Sequence, residues 1–258
     1  TLPAPGGAAS AVAAAFATCY ADGVKNDKQL DGATPVPLPP RVFLDRAAPG
    51  PAAALLRRLA PALNSAPMMA RPVAPPAPQW GEAPKDKQRR LQAAARAEQA
   101  ADAAAAAAGG AGPAARPNAP GEPLVLVVCC SARRANALCA ELVGAFAGTP
   151  HAIRKLFAKH VKVAEQVALL QSPLSGGVGT PHRLRALAAG GHLRVGAGTR
   201  IVAVDCWRTE KGLCLLDAAL GEPHRDFVRL VHEVIAPELQ RQDKAGVANG
   251  ATTKIVMF

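Results

Sequence analysis

Four short segments hold the residues that could do chemistry. Asp205 closes the apolar run Arg200-Ile-Val-Ala-Val204, and an acid at a strand's C-terminal end can hold a metal ion or move a proton. The residues that follow, Cys206, Trp207 and Arg208, bring no second carboxylate, so Asp205 is equally suited to fixing a loop. Cys129 and Cys130 are adjacent at the end of another apolar run, where cysteines pack as small apolar side chains. Ser131-Ala-Arg-Arg134 and Thr180-Pro-His-Arg183 each lead from an apolar run into a helical pattern, which places arginines and unpaired backbone N–H groups where an anion could sit. The six histidines (151, 160, 182, 192, 224 and 232) are scattered and read as surface or helix-end residues rather than ligands.

The machinery of the common enzyme classes is missing. No G-x-x-x-x-G-K-[ST] loop occurs, so nothing cradles and polarises a terminal phosphate. No G-x-G-x-x-G follows an apolar run, and neither a G-x-S-x-G elbow nor H-E-x-x-H is present. The six cysteines have no C-x-x-C pair and no zinc-like spacing to histidine. The expectation is a chain without catalytic residues, metal, cofactor or small-molecule substrate.

The elements that position these segments follow from pattern. The chain has 258 residues, half of them apolar, but only nine are aromatic, so the core must be built mainly from Ala, Val and Leu in layered helices and strands. Its longest strongly apolar run, residues 124–130, is too short to cross a bilayer, which argues against a membrane partner. Nineteen of the 24 prolines precede residue 124. Residues 1–35 read as an N-terminal extension and a candidate for flexibility; its Ala-rich opening has no basic residue before Lys25 and makes a poor signal or transit peptide. Arg41–Asp45 reads as a short strand and Ala52–Leu63 as a helix with Leu55, Leu56, Leu59 and Leu63 on one face. Residues 64–123 read as a Pro/Ala-rich, partly helical insert or linker. Within it Lys85, Lys87, Arg89 and Arg90 could tether RNA, but Asp86, Glu98 and Asp102 dilute that charge and favour a spacer.

From Leu124 strands and helices alternate. Strands are predicted at 124–130, 153–157, just before Gly179, at 200–204 and at 254–258, with helices at 132–146, 161–170, after Thr180-Pro181 and at 224–239. Thr180 is placed to cap a helix whose first position Pro181 takes. Such alternation predicts a three-layer α/β domain with a mainly parallel sheet.

The net charge is +11, which favours a polyanionic partner. Residues 151–200 hold Arg154, Lys155, Lys159, Lys162, Arg183, Arg185, Arg194 and Arg200 against Glu165 alone. This is either a solvated face or a phosphate-binding one. The helix starts inside the same window favour phosphate.

Read together, Lys155-Leu-Phe-Ala-Lys-His160, Val161-Lys-Val-Ala-Glu-Gln166, Val178-Gly-Thr-Pro-His-Arg183 and Val202-Ala-Val-Asp-Cys-Trp-Arg208 resemble the Cms-one family. Leu126-Val-Val-Cys-Cys-Ser-Ala-Arg133 and Thr253-Lys-Ile-Val-Met-Phe258 extend the likeness over 124–258, and Leu38-Pro-Pro-Arg-Val-Phe-Leu-Asp45 fits more loosely. The resemblance implies a subunit of the 90S pre-ribosome in the nucleus and nucleolus. It also implies a single RecA-like, P-loop-NTPase-like domain formed by 36–63 and 124–258, similar to a DEAD-box helicase domain without its Walker A loop. Thr180-Pro-His-Arg183 stands where those helicases carry T-P-G-R, with His182 in place of the glycine. Asp205-Cys-Trp-Arg208 stands at D-E-A-D and keeps only the first acid.

The resemblance thus implies a non-catalytic assembly factor binding ribosomal RNA precursor or small nucleolar RNA and other pre-ribosomal proteins. The expected RNA contacts are Ser131, Arg133, Arg134, Lys155, Lys159, His160, Lys162, Thr180, Pro181, His182 and Arg183. Trp207 and Arg208 are the expected protein contacts, with Leu156 and Phe157 as further anchors in a protein-only scaffold; core packing is the competing reading, favoured for Phe157 and equally balanced for Trp207. A protein-only scaffold is the alternative, and an ATP-dependent helicase the remaining one.

Overall fold

The computed structural model describes residues 7–38, 42–44, 119–145, 153–158, 161–171, 174, 176–196, 198–245 and 252–258. The readings of a helix at 52–63 and of an insert at 64–118 lie outside these residues. The described elements, in chain order, are α1 (Gly7–Asn26), β1 (Val42–Leu44), β2 (Val125–Val128), α2 (Ala132–Ala145), β3 (Ile153–Leu156), α3 (Val163–Leu170), β4 (Gly176–Gly179), α4 (Pro181–Ala189), β5 (Ile201–Val204), α5 (Glu222–Leu230), α6 (Ala236–Lys244) and β6 (Lys254–Met257). One wide π turn, Val231–Ile235, joins α5 to α6. The last helix is therefore longer than its pattern predicts, and it widens just ahead of Pro237, which has no N–H to donate to the preceding turn.

Six strands form one sheet in the order β1-β6-β5-β2-β4-β3, and every pair is parallel. Strands buried on both faces need apolar side chains at every position, which explains the unbroken runs in β2 and β5. Val125 and Val127 of β2, Ile201 and Ala203 of β5 and Val256 of β6 pack on one face against Ala135, Leu138 and Leu142 of α2. Their neighbours Leu126, Val128, Val202, Val204, Ile255 and Met257 pack on the other, against Leu184 and Leu187 of α4, Phe227 and Leu230 of α5 and Leu239 of α6. The two-residue period of the strands thus feeds both outer layers.

Strand β4 is nearly all glycine because its neighbours close over it. A Cβ on Gly179 would lie 2.4 Å from the Leu156 carbonyl oxygen and 2.6 Å from Leu184 Cδ2. This close approach brings α4 tight against the sheet beside the β3–β4 pair.

The sequence reading makes residues 1–35 an N-terminal extension, and most of it is described as α1 with the turn that follows. Helix α1 docks on the helical layer through Phe16, Tyr20 and Val24, all buried. Phe16 meets Phe227 edge to face at 6.0 Å between ring centroids. At its end, Asp27 accepts two hydrogen bonds from Arg229, at 2.6 and 2.7 Å, and one from the Gln29 N–H at 2.9 Å. Arg229, ahead of the opposing cost of burial, holds the Asp27 carboxyl below its ordinary value. A carboxyl depressed in the folded state contributes stability that is present above its unfolded pKa, about 3.9, and is lost as pH falls through the lower folded value. Asp27→Asn should cost about 2 kcal/mol at pH 7, because it removes the closer of the two acids that face the buried Arg229 and leaves it Asp226 alone, at 3.6 Å. Urea unfolding should show the gap from the parent chain narrowing toward pH 3; a gap constant with pH would contradict this.

Candidate nucleic-acid interface

A wholly parallel sheet brings all its strand C-termini to one edge. The turns after β2, β4 and β5 and the end of β3 meet there, and α2, α3 and α4 begin there. Helix starts carry unpaired N–H groups and the positive end of the peptide dipole, so three of them on one edge favour anions. The chain leaves β2 for α2 on one face, whereas β5 leads to α5 on the other. The crevice between the C-terminal ends of β2 and β5 is thus the topological switch point, the usual ligand position in open α/β sheets.

The crevice is organised by Arg134 and Asp205. Asp205 is 1% exposed, and Arg134 donates to it from Nε at 2.8 Å and from Nη2 at 3.2 Å. Burial alone would lower the Arg134 pKa, but the bonds to Asp205 outweigh it and hold the guanidinium above its ordinary value. Asp205 Oδ1 also accepts from the Trp207 backbone N–H at 3.3 Å, and the Arg134 guanidinium lies 4.6 Å over the Trp207 ring. The carboxylate that the sequence offers as a metal position is held by an arginine. No group of three His, Cys, Asp or Glu residues able to hold a metal occurs among the described residues. Cys129 is buried, and burial pushes its thiol pKa far up; Cys206 is pushed up to about 12 for the same reason. All six cysteines are unpaired, and these thiols are packing groups.

The expected contact residues divide into those that face outward and those that do not. Arg133 is 91% exposed, its nearest acid being the equally exposed Glu210 at 3.6 Å. Ser131 lies behind it at the start of α2, its Oγ accepting from the Arg134 N–H at 3.2 Å. Lys155 is exposed and donates to Asn136 Oδ1 at 2.7 Å. Lys162 is exposed at the position preceding α3. Thr180 precedes α4 and Pro181 opens it as expected, but the Thr180 hydroxyl makes no capping bond. His182 is exposed beside Asp226, with Nδ1 3.2 Å from Oδ2. Lys159 and His160 lie outside the described residues.

Arg183 requires a correction. Only 9% exposed, it turns inward and donates from Nη1 to the Val161 carbonyl at 3.2 Å and to Gln166 Oε1 at 2.8 Å. Gln166, fully buried, in turn donates to the Lys155 and Phe157 carbonyls at 3.1 and 3.0 Å. Together they lace β3, α3 and α4, so Arg183 holds the edge in shape and cannot present itself to a phosphate. Arg134 is likewise withdrawn by Asp205, and Arg185 is paired with Asp226 and Glu233. Leu156 and Phe157 are core, which removes them as interface anchors. Trp207 is 58% exposed and Arg208 extends beside it, donating to the Gly212 carbonyl. Pattern reading passed over Gln166 and Lys211. The polar Gln166 inside an otherwise helical apolar stretch was the one available signal.

Fold and crevice together define a parallel α/β protein whose switch point is cationic and whose strand-end acid, Asp205, is held by Arg134. The chain belongs to the CMS1 family, described as the U3-containing 90S pre-ribosomal complex subunit, whose model matches residues 113–256. It is 37% identical to protein CMSS1 of Xenopus laevis over 136 residues, 52% of this chain and 44% of that protein. Against protein CMSS1 of Homo sapiens it is 40% identical over 95 residues, 36% of this chain and 33% of that protein. The chain therefore matches less than half the length of these curated relatives. Among solved structures it is similar to the yeast DEAD-box splicing factor Prp28, with a TM-score of 0.38 and 14% identity over 56% of this chain and 30% of that one. A second is S. cerevisiae Dbp5, with a TM-score of 0.35 and 13% identity over 81% of this chain and 46% of that one.

Arg134→Met would leave the Asp205 carboxylate buried without its partner, at a cost of about 3–5 kcal/mol. Replacing both members, Arg134→Met with Asp205→Leu, should recover most of that loss. Urea unfolding of the single and double variants checks this, and a double variant no more stable than the single would contradict it.

Proposed function

We propose that this chain is a non-catalytic RNA- and protein-binding assembly factor of the 90S pre-ribosome, working in the nucleolus on small-subunit maturation. Its RecA-like domain lays the C-terminal edge of the sheet against the backbone of ribosomal RNA precursor or small nucleolar RNA. The supporting observation is the edge itself: three helix N-termini with exposed Arg133, Lys155 and Lys162 around them, beside an acid already neutralised by Arg134. Contacts of this kind position a protein on RNA without reading sequence. Family membership supports the particle, and the absence of a G-x-x-x-x-G-K-[ST] loop from the sequence supports binding without ATP turnover.

About four phosphate contacts would make RNA affinity fall with salt at a log–log slope of order −3. Arg133→Glu with Lys162→Glu, both exposed and neither a core group, should weaken binding of the full chain to structured RNA and reduce that slope by about 2. Unchanged affinity and slope would overturn the RNA-contact reading. Nuclease treatment of the native particle separates the alternative: release supports RNA contact, whereas retention would favour a protein-only scaffold. ATP binding by the isolated chain would restore the helicase reading.

A further inference from the structure

Beside the backbone-contacting edge, and sharing Arg133 with it, lies a groove. It has a volume of about 760 Å³ and is lined by Ser131 from the β2–α2 turn, by Arg133 and Ala137 of α2, and by Trp207–Lys211 with Leu213, Ala219 and Leu220 from the long connection after β5. A groove of this size takes a small organic group. Trp207 and Val163 are the large apolar side chains that stand exposed among the described residues, and Trp207 is the aromatic one.

We propose that this groove holds an unpaired nucleobase of single-stranded RNA, stacked on the indole of Trp207, and this rests on the RNA-contact reading above. The indole is already set in place. Asp205 fixes the Arg134 guanidinium through two hydrogen bonds, the guanidinium covers the ring at 4.6 Å, and Asp205 also anchors the main chain there by accepting from the Trp207 backbone N–H. A preset ring loses little freedom when a base lands on it. The polar lining has the sign a nucleotide needs: Arg133, Arg208 and Lys211 face the same groove, with Glu210 the acid among its lining residues. Stacking on an aromatic face combined with cations for the phosphates is how single strands are held without sequence preference, because every base has a π face. A duplex keeps its bases stacked inside and offers none to Trp207.

The test uses the full chain and intrinsic fluorescence. The sequence has two tryptophans, so Trp80→Phe leaves Trp207 as sole reporter. Titration with a ten-residue oligouridylate should quench this signal, whereas RNA duplex of equal length should bind with little quenching. Trp207→Ala should weaken oligouridylate binding about 10-fold and leave duplex binding unchanged, and Trp207→Phe should restore most of the loss. If oligouridylate binds equally well to the parent chain and to Trp207→Ala, the stacking site falls while the backbone reading stands. If neither single-stranded nor duplex RNA binds, both readings fall. A groove that quenches only on addition of a protein component of the particle is a protein-docking site, which also overturns the proposal.

Discussion

The bond between Arg134 and Asp205 is the constraint on which the crevice depends. One partner lies on the first turn of α2 and the other at the end of β5, so the pair ties together the two sides of the switch point. A buried ion pair of this kind adds little net stability, because withdrawing both charges from water costs nearly what their attraction returns. Its effect is geometric. It holds the Arg134 guanidinium over the Trp207 ring, and it gives the carboxylate at the strand end a cationic partner. An acid so held is a poor metal ligand, since a cation would first have to displace a guanidinium bound through two hydrogen bonds.

The same logic governs the positive charge. The excess in residues 151–200 is real in the sequence, but its members are not equivalent in space. Arg183 is bonded to the Gln166 side chain and the Val161 carbonyl, and Arg185 is paired with two acids. Others, such as Lys155 and Lys162, remain outward on the C-terminal edge, where Arg133 joins them from outside that window. The usable charge follows from the parallel sheet, which gathers distant turns onto one edge, and not from the local density of lysine and arginine along the chain.

Most of the sheet was legible because β2 and β5 must be apolar on both faces, and a short unbroken apolar run between turn signals is what a strand covered by helices on both sides requires. The helix after Thr180-Pro181 was legible for an equally local reason. What escaped was decided by partners far away in sequence. Helix α1 carries Phe16, Tyr20 and Val24 as its large buried stripe in an Ala-rich stretch, and its stability comes from Phe227 and Arg229, some 200 residues on. Arg183 sits in a motif that suggests phosphate contact, yet Gln166 claims it. Trp207 could equally have been core, and its exposure follows from the path of the connection between β5 and α5, which no periodicity specifies.

Residue-resolved crosslinking of the chain to RNA in its native particle bears most directly on the proposed interface. RNA adducts are expected at the C-terminal edge, on Arg133, Lys155, Lys162 and Trp207. Adducts confined to the opposite end of the sheet or to α1, α5 and α6, with the C-terminal edge joined only to protein, would contradict it.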